Sequence, residues 1–271
     1  MIINHNLNAM NAHRNLVFNN TQQGKSSEKL SSGYRINRAA DDAAGLSISE
    51  KMRAQIKSLN QAARNAQDGV SLVQTAEGAM TEVSDMLTRM KELATQASNG
   101  TYNASDLAAL DKEYQKLKTT ITTDIQANTK FNGIALLDGS AGTGGTVTIQ
   151  TGDNLADVVT VDLSFDLSTL DIGTITSQSL AQAELAKIDT AIGQVNDARS
   201  ELGATQNQLE HRYNNITSTS ENLQAAESRI RDTDMASEMM AYTKFNVLQQ
   251  ASTSMLAQAN QAPQNVLQLL R

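Results

Sequence analysis

The chain has 271 residues, enough for one large domain or two modest ones, and a formal net charge of −7 at pH 7. That balance argues against nucleic-acid binding, which normally calls for a basic patch. The absence of cysteine excludes disulfides, thiolate metal sites and cysteine nucleophiles. Aromatic residues are only 3% of the chain against 39% hydrophobic residues overall, so burial must come from Ala, Leu, Ile, Val and ten Met, which suits narrow helix-to-helix seams.

In chain order, the opening Met1-Ile2-Ile3-Asn4-His5-Asn6 has no basic region followed by an apolar stretch, which predicts no secretory signal peptide. No apolar run approaches the roughly 18 residues needed to span a bilayer. A first helical segment carries a thin stripe, Ile3, Leu7, Met10 and Val17, broken by Arg14. Ser31-Ser32-Gly33 can end it, and Asp41-Asp42 can cap the next helix before Ala43. Residues 43–98 then keep a strict seven-residue repeat, Met52, Leu59, Ala66, Val73, Met80, Leu87 and Ala94. At 1.5 Å per residue they predict a rod roughly 80 Å long. Asn99-Gly100 marks a turn, and Leu107, Leu110, Tyr114, Leu117, Ile121 and Ile125 form a third helix, followed by Asn132-Gly133.

Residues 139–178 differ in character. A glycine-rich turn at 139–145 precedes two runs of strand-like composition, Thr146–Gln150 and Val158–Leu163, which predict a small β insertion. Helical spacing then resumes over the longest repeat, Ala181, Ile188, Val195, Leu202, Leu209, Ile216, Leu223 and Ile230. Arg199 and Arg212 interrupt its companion position, which favours a mixed bundle over a free two-stranded coiled coil. The phase slips at Arg231-Asp232-Thr233-Asp234, a polar joint, before Ala241, Leu248, Met255, Ala262 and Leu269 take up the repeat again. A single proline leaves all these helices free to run long.

The predicted fold is mainly α, with long antiparallel helices in a coiled-coil-like bundle and a small β-hairpin insertion. Residues 1–45 carry five bases and three acids, and residues 228–271 four bases and three acids, so the middle holds a net −10. Near-neutral ends pack together at little electrostatic cost, while an acidic middle suits solvent. The expected division is therefore 1–42 plus 231–271 as one discontinuous unit of terminal helices. The other unit is 43–230, a helical bundle with the β insertion at about 139–178.

Catalytic patterns are missing. His5, His13 and His211 are not spaced as a helical metal pair, and there is no HExxH, no G-x-S-x-G elbow and no phosphate-binding glycine loop. Asp41-Asp42 and the pair Asp232 and Asp234 read as helix caps, with metal binding as the alternative. Met52, Met80 and Met255 read as core filling. No enzyme activity, cofactor or metal is expected, and function is expected to lie in surfaces.

The motifs themselves carry a resemblance. The segment Ile2-Ile3-Asn4-His5-Asn6-Leu7-Asn8-Ala9-Met10 resembles the start of bacterial flagellins. So do Leu30-Ser31-Ser32-Gly33-Tyr34-Arg35-Ile36-Asn37-Arg38 with the following Ala39-Ala40-Asp41-Asp42-Ala43-Ala44-Gly45-Leu46, and Asn65-Ala66-Gln67-Asp68-Gly69. Arg229-Ile230-Arg231-Asp232-Thr233-Asp234-Met235-Ala236 and the ending from Gln258 to Arg271 are similar to the C-terminal half of that family. The resemblance implies a structural subunit of the extracellular flagellar filament used for swimming, of the short form without large variable outer domains. It further implies export through the flagellar type III channel and terminal segments that order on assembly.

The resemblance also implies residue roles. Filament inner-core packing would fall to Ile3, Leu7, Met10, Val17, Leu248, Met255 and Leu269. A flagellin export chaperone would hold Met255, Leu256, Val266, Leu267, Leu269 and Leu270. Toll-like receptor 5 would recognise Arg89, Glu92 and Leu93, with Glu113 as the partner glutamate on the next helix. Arg89 and Leu93 lie four apart, hence on one helical face. Filament cap and hook–filament junction proteins would be further partners. The alternatives are a flagellin-like hook–filament junction protein and, from another class, a cytoplasmic coiled-coil scaffold.

Overall fold

The computed structural model describes residues 6–269, with side chains as far as Gln261. Of the residues expected to pack or bind, Ile3 and Leu270 lie outside the described residues, as do the side chains of Val266, Leu267 and Leu269. The mainly helical bundle expected from sequence is what the chain adopts. Its helices are α1 (Leu7–Ser32), α2 (Ala43–Ala97), α3 (Ala104–Thr119), the short α4 (Gln126–Asn128), α5 (Gln178–Arg231) and α6 (Met235–Leu269). A π-helical turn, Thr120–Ile125, joins α3 to α4.

The breaks have local causes. Asn6 opens α1 by accepting a hydrogen bond from the Ala9 N–H, and Gly33 closes it with φ 75°, a left-handed conformation that glycine adopts without a Cβ penalty. Asn103 caps α3, its side chain accepting from the Ser105 and Asp106 N–H groups while Asp106 reaches back to the Asn103 N–H.

Two compact units emerge. The first comprises Met1–Ala54 and Asn222–Arg271, and so takes in the first turns of α2 and the last turns of α5 beyond the expected limits at 42 and 231. Inside it α1 lies antiparallel to α6: the Asn6 side chain donates to the Ala259 carbonyl at 2.7 Å, Asn19 to Ser252 Oγ at 3.0 Å, and Lys29 faces Glu238 at 4.0 Å. The segments after α1 and after α5 form a clasp. The Arg35 N–H donates to the Arg231 carbonyl at 2.7 Å, and the Thr233 N–H to the Gly33 carbonyl at 3.0 Å, around a bridge between Tyr34 and Asp232. The Arg231 guanidinium covers the Tyr34 ring at 4.9 Å and pairs with Glu50. Ile36, 2% exposed, lies against Gly45, where a Cβ would collide with its Cδ1.

The second unit is Gln55–Glu221. One apolar core joins Val73, Met80, Leu87 and Ala94 of α2, Leu107 and Tyr114 of α3, and Ala181, Ile188, Val195, Leu202 and Leu209 of α5. The α2 and α5 members are the positions marked by the two seven-residue repeats, each fully buried Leu or Ile contributing about 2 kcal/mol.

The β insertion is a hairpin of β3 (Thr146–Gln150) and β4 (Val158–Asp162), in register from Thr146 opposite Asp162 to Gln150 opposite Val158. Its inward side chains Ile149, Val159 and Val161 join the core. It lies so close over α2 that a Cβ at Gly69 would overlap Ile149 Cδ1, while Asn65 donates to the Gln150 carbonyl at 3.1 Å. A second, smaller hairpin of β1 (Lys130–Phe131) and β2 (Ile134–Ala135) turns at Asn132-Gly133, with φ 49° and 82°. Positive φ at both turn residues is the geometry that suits a two-residue hairpin loop.

Following β4, a buried network holds residues 170–177. Glu184, 3% exposed, accepts from the Tyr114 hydroxyl at 3.2 Å and from the Gly173 N–H, and Asp111 accepts from the Ile175 N–H at 2.9 Å. Burial, reinforced by the Glu184 charge, pushes the Tyr114 hydroxyl far above the usual tyrosine range.

Candidate assembly surface

The seam between α1 and α6 is thin. Along α1 the half-buried or buried positions include Ala9, Ala12, Leu16, Asn19, Gln23, Ser26 and Leu30, with Gln22, Glu28 and Lys29 beside them. Along α6 they include Glu238, Tyr242, Phe245, Gln249, Ser252, Leu256 and Ala259, with Ala241 and Asn246 beside them. Steps of three and four residues place each set on one helical face. Small and polar side chains dominate, so the two backbones can approach closely while little apolar area leaves water.

Apart from Leu16, Leu30, Tyr242, Phe245 and Leu256, the larger apolar side chains described on these helices are exposed. Leu7 is 63% exposed, Met10 62%, Val17 52%, Leu248 38% and Met255 63%, so none of these expected packing residues lies in the α1–α6 seam. Met255 is therefore not core filling, unlike Met80 at 1% exposed. Its repeat with Leu248 runs one position out of phase with Gln249 and Leu256, which face α1. Phe18, Met235, Met239, Met240 and Val247 join the exposed set, each at least half open to solvent. Ala236, Met239, Met240, Thr243, Lys244, Val247 and Leu248 line one shallow apolar groove on α6. These additional residues lie off the counted repeat, and the available signal was that α6 carries apolar residues on two faces.

The predicted receptor patch divides. Arg89 Nε donates to Glu113 Oε1 at 3.0 Å and its Nη1 to Glu92 Oε2 at 2.8 Å, so these three exposed side chains form one ion cluster across α2 and α3. Hydrogen bonds from the two carboxylates, Glu92 first, raise the Arg89 guanidinium further above its ordinary value. Leu93, by contrast, is 1% exposed and belongs to the apolar core. Four residues advance a helix about 40° past a full turn, enough to carry Leu93 from the rim of α2 to its buried side. A partner in solution meets the charged trio and not Leu93.

One acid of each pair caps a helix, Asp42 for α2 and Asp234 for α6. Asp41 ties the turn before α2, and Asp232 joins the bridge to Tyr34. Asp41 accepts from the Arg38 and Asn37 N–H groups, which hold its carboxyl below the usual range, and Asp42 accepts from the Gly45 N–H at 2.9 Å. Asp234 accepts from the Ala236 and Ser237 N–H groups at the start of α6. Among the described residues no group of three or more His, Cys, Asp or Glu is placed to hold a metal ion, and no helix is long and apolar enough to cross a membrane.

Comparison with known proteins places the chain in a family. The family profile of the bacterial flagellin N-terminal helical region matches residues 3–142, and that of the bacterial flagellin C-terminal helical region matches residues 185–270. The chain is 56% identical to a flagellin of Halalkalibacterium halodurans and 46% identical to a flagellin of Bacillus subtilis, in each case over the whole of both chains. It is 44% identical, again over both full lengths, to a flagellar filament 33 kDa core protein of Treponema phagedenis. Among solved structures, Bacillus cereus flagellin superposes with a TM-score of 0.52 at 40% identity, covering 60% of this chain and 94% of that one. The chain thus belongs to the bacterial flagellin family, in its short form without a large variable domain, a family of structural filament proteins and not of enzymes.

Proposed function

We propose that this chain polymerises through its α1–α6 unit, burying against neighbouring copies the apolar side chains that the single chain leaves open. The observation that carries the reading is the exposure of Leu7, Met10, Val17, Met239, Met240, Val247 and Met255 on two helices joined by a thin seam. Contiguous apolar surface of this kind marks an interaction site. In a filament the same residues, together with Ile3, Leu248 and Leu269, would supply the inner-core packing.

Export through the flagellar type III channel precedes assembly in this reading. A chaperone would cover the C-terminal part of α6, where Met255 is exposed and Leu256 half-buried, along with Val266, Leu267, Leu269 and Leu270. Toll-like receptor 5 would meet Arg89, Glu92 and Glu113 as one charged patch. Leu93 would support that patch from within the core. Cap and hook–filament junction proteins would contact the ends of the filament.

The test is electron microscopy of the purified chain after addition of sulfate, which favours burial of apolar surface, with and without filament seeds. Long smooth filaments protected from trypsin at Lys25 and Lys29 are expected. Persistent monomers in the presence of seeds would reject self-assembly and favour the junction-protein reading.

A further inference from the structure

Sulfur in this chain occurs only in methionine, and its placement is polarised. In α2, Met80 is 1% exposed, Met90 is fully buried, and Met52 and Met86 are half-buried. In the terminal helices the pattern reverses: Met10 is 62% exposed, Met235 51%, Met239 54%, Met240 69% and Met255 63%. Met239 and Met240 line the apolar groove that Val247 and Leu248 complete, and Met255 lines a second groove with Leu248 and the α1 residues Asn8, Asn11 and Asn15. A face built for burial alone has no need of thioethers, since leucine packs with better-defined rotamers and resists oxidation.

We propose that Met10, Met235, Met239, Met240 and Met255 form an oxidation-sensitive modification site that withholds the free subunit from assembly. The proposal rests on the filament reading above. The oxidant is a hydroperoxide, with hydrogen peroxide as the simplest member. A thioether sulfur attacks one peroxide oxygen, an S–O bond forms and the O–O bond breaks. The sulfur loses two electrons, and the departing oxygen takes the proton from the transferred hydroxyl and leaves as water with hydrogen peroxide, or as an alcohol with an organic hydroperoxide. The product sulfoxide is polar and a strong hydrogen-bond acceptor, so burying it against a neighbouring copy without a donor is unfavourable. With no cysteine or tryptophan in the chain, these exposed sulfurs are, among the described residues, its most accessible oxidisable groups. Because methionine sulfoxide is reduced enzymatically, the block is reversible.

The experiment uses the full chain as monomer, treated with hydrogen peroxide, quenched, mapped by peptide mass spectrometry and then seeded in sulfate. The five terminal-helix methionines are expected to gain oxygen before Met80 and Met90 do. The protein concentration left in solution when growth stops should rise about tenfold or more, and the two methionine sulfoxide reductases should restore it. Normal growth by chains carrying all five sulfoxides would overturn the proposal, and so would failure of the reductases to rescue. A chain with all five changed to Leu should assemble and ignore peroxide; peroxide inhibition of that variant would overturn it as well. Should that variant assemble poorly by itself, reductase rescue of the native chain still decides. Untreated native chain that never assembles would instead reject the filament reading on which the proposal stands.

Discussion

Within Gln55–Glu221, the seven-residue spacing of α2 and α5 turns Leu, Ile, Val and Met inward, and the repeats close a core. Within the terminal unit, α1 and α6 keep the same alternation of three- and four-residue steps, but fill much of it with Ala, Ser, Asn and Gln beside Leu16, Leu30, Tyr242, Phe245 and Leu256. They leave Leu7, Met10, Val17, Met239, Met240, Val247 and Met255 in solvent. The first arrangement is satisfied by one chain. The second leaves apolar side chains that the single chain does not cover. Periodicity therefore reports that a helix has a partner, while residue size along each stripe reports whether that partner lies in the same chain.

The sharpest way to break this comparison is to charge the exposed face. Met240→Asp combined with Val247→Asp alters side chains that are 69% and 59% exposed. Filament formation by sedimentation should be abolished while the thermal melting curve of the monomer stays within error. A lowered melting temperature with intact assembly would mean that the two regions differ in sequence only. The converse change is Leu209→Ala, at a fully buried position of the core. Urea denaturation should report a loss of about 2–5 kcal/mol, from transfer and cavity terms together.

The smallest effect concerns the buried network. Tyr114→Phe removes the hydroxyl that Glu184 accepts and should cost about 1–2 kcal/mol by the same measurement. Because folding raises the hydroxyl above its ordinary value of 10.0, the folded chain holds this proton more tightly than the unfolded chain. The stability tied to it is present below that value and is lost as pH rises above it. The native chain should therefore weaken on passing from about pH 8 to about pH 11 more steeply than the Phe variant.

The legible part of the fold was the part that follows periodicity. Leu59, Ala66, Val73, Met80, Leu87 and Ala94, and Ile188 through Ile216 at the same spacing, are all buried as their repeats imply. The polar joint at 231–234 is a true break between α5 and α6. Less legible was the phase of α6, since Tyr242, Phe245 and Leu256 on one face compete with Met240, Val247 and Met255 on another, and counting cannot rank them. Buried Asn19 and Ser26 escape an apolar search altogether, because their burial depends on what α6 presents, such as the Ser252 hydroxyl. The hairpin at Asn132-Gly133 showed its turn but hid its strands, each only two residues long. Spacing puts Leu93 on one helical face with Arg89, since it gives an angle around the helix and not where the apolar core lies.

The clasp between Tyr34 and Asp232 has a consequence for the order of events during folding. Its bonds join residues about 195 apart, and the pairing of α1 with α6 spans up to 253 positions. Contacts of such long separation carry a closure cost that local helix formation does not, and they form late. As the chain emerges from a ribosome or any narrow passage with its N-terminus leading, α1 appears early and has no partner until α6 follows. For that interval its apolar face stays open. Whatever handles the chain in transit therefore meets an adhesive leading segment well before the fold can claim it.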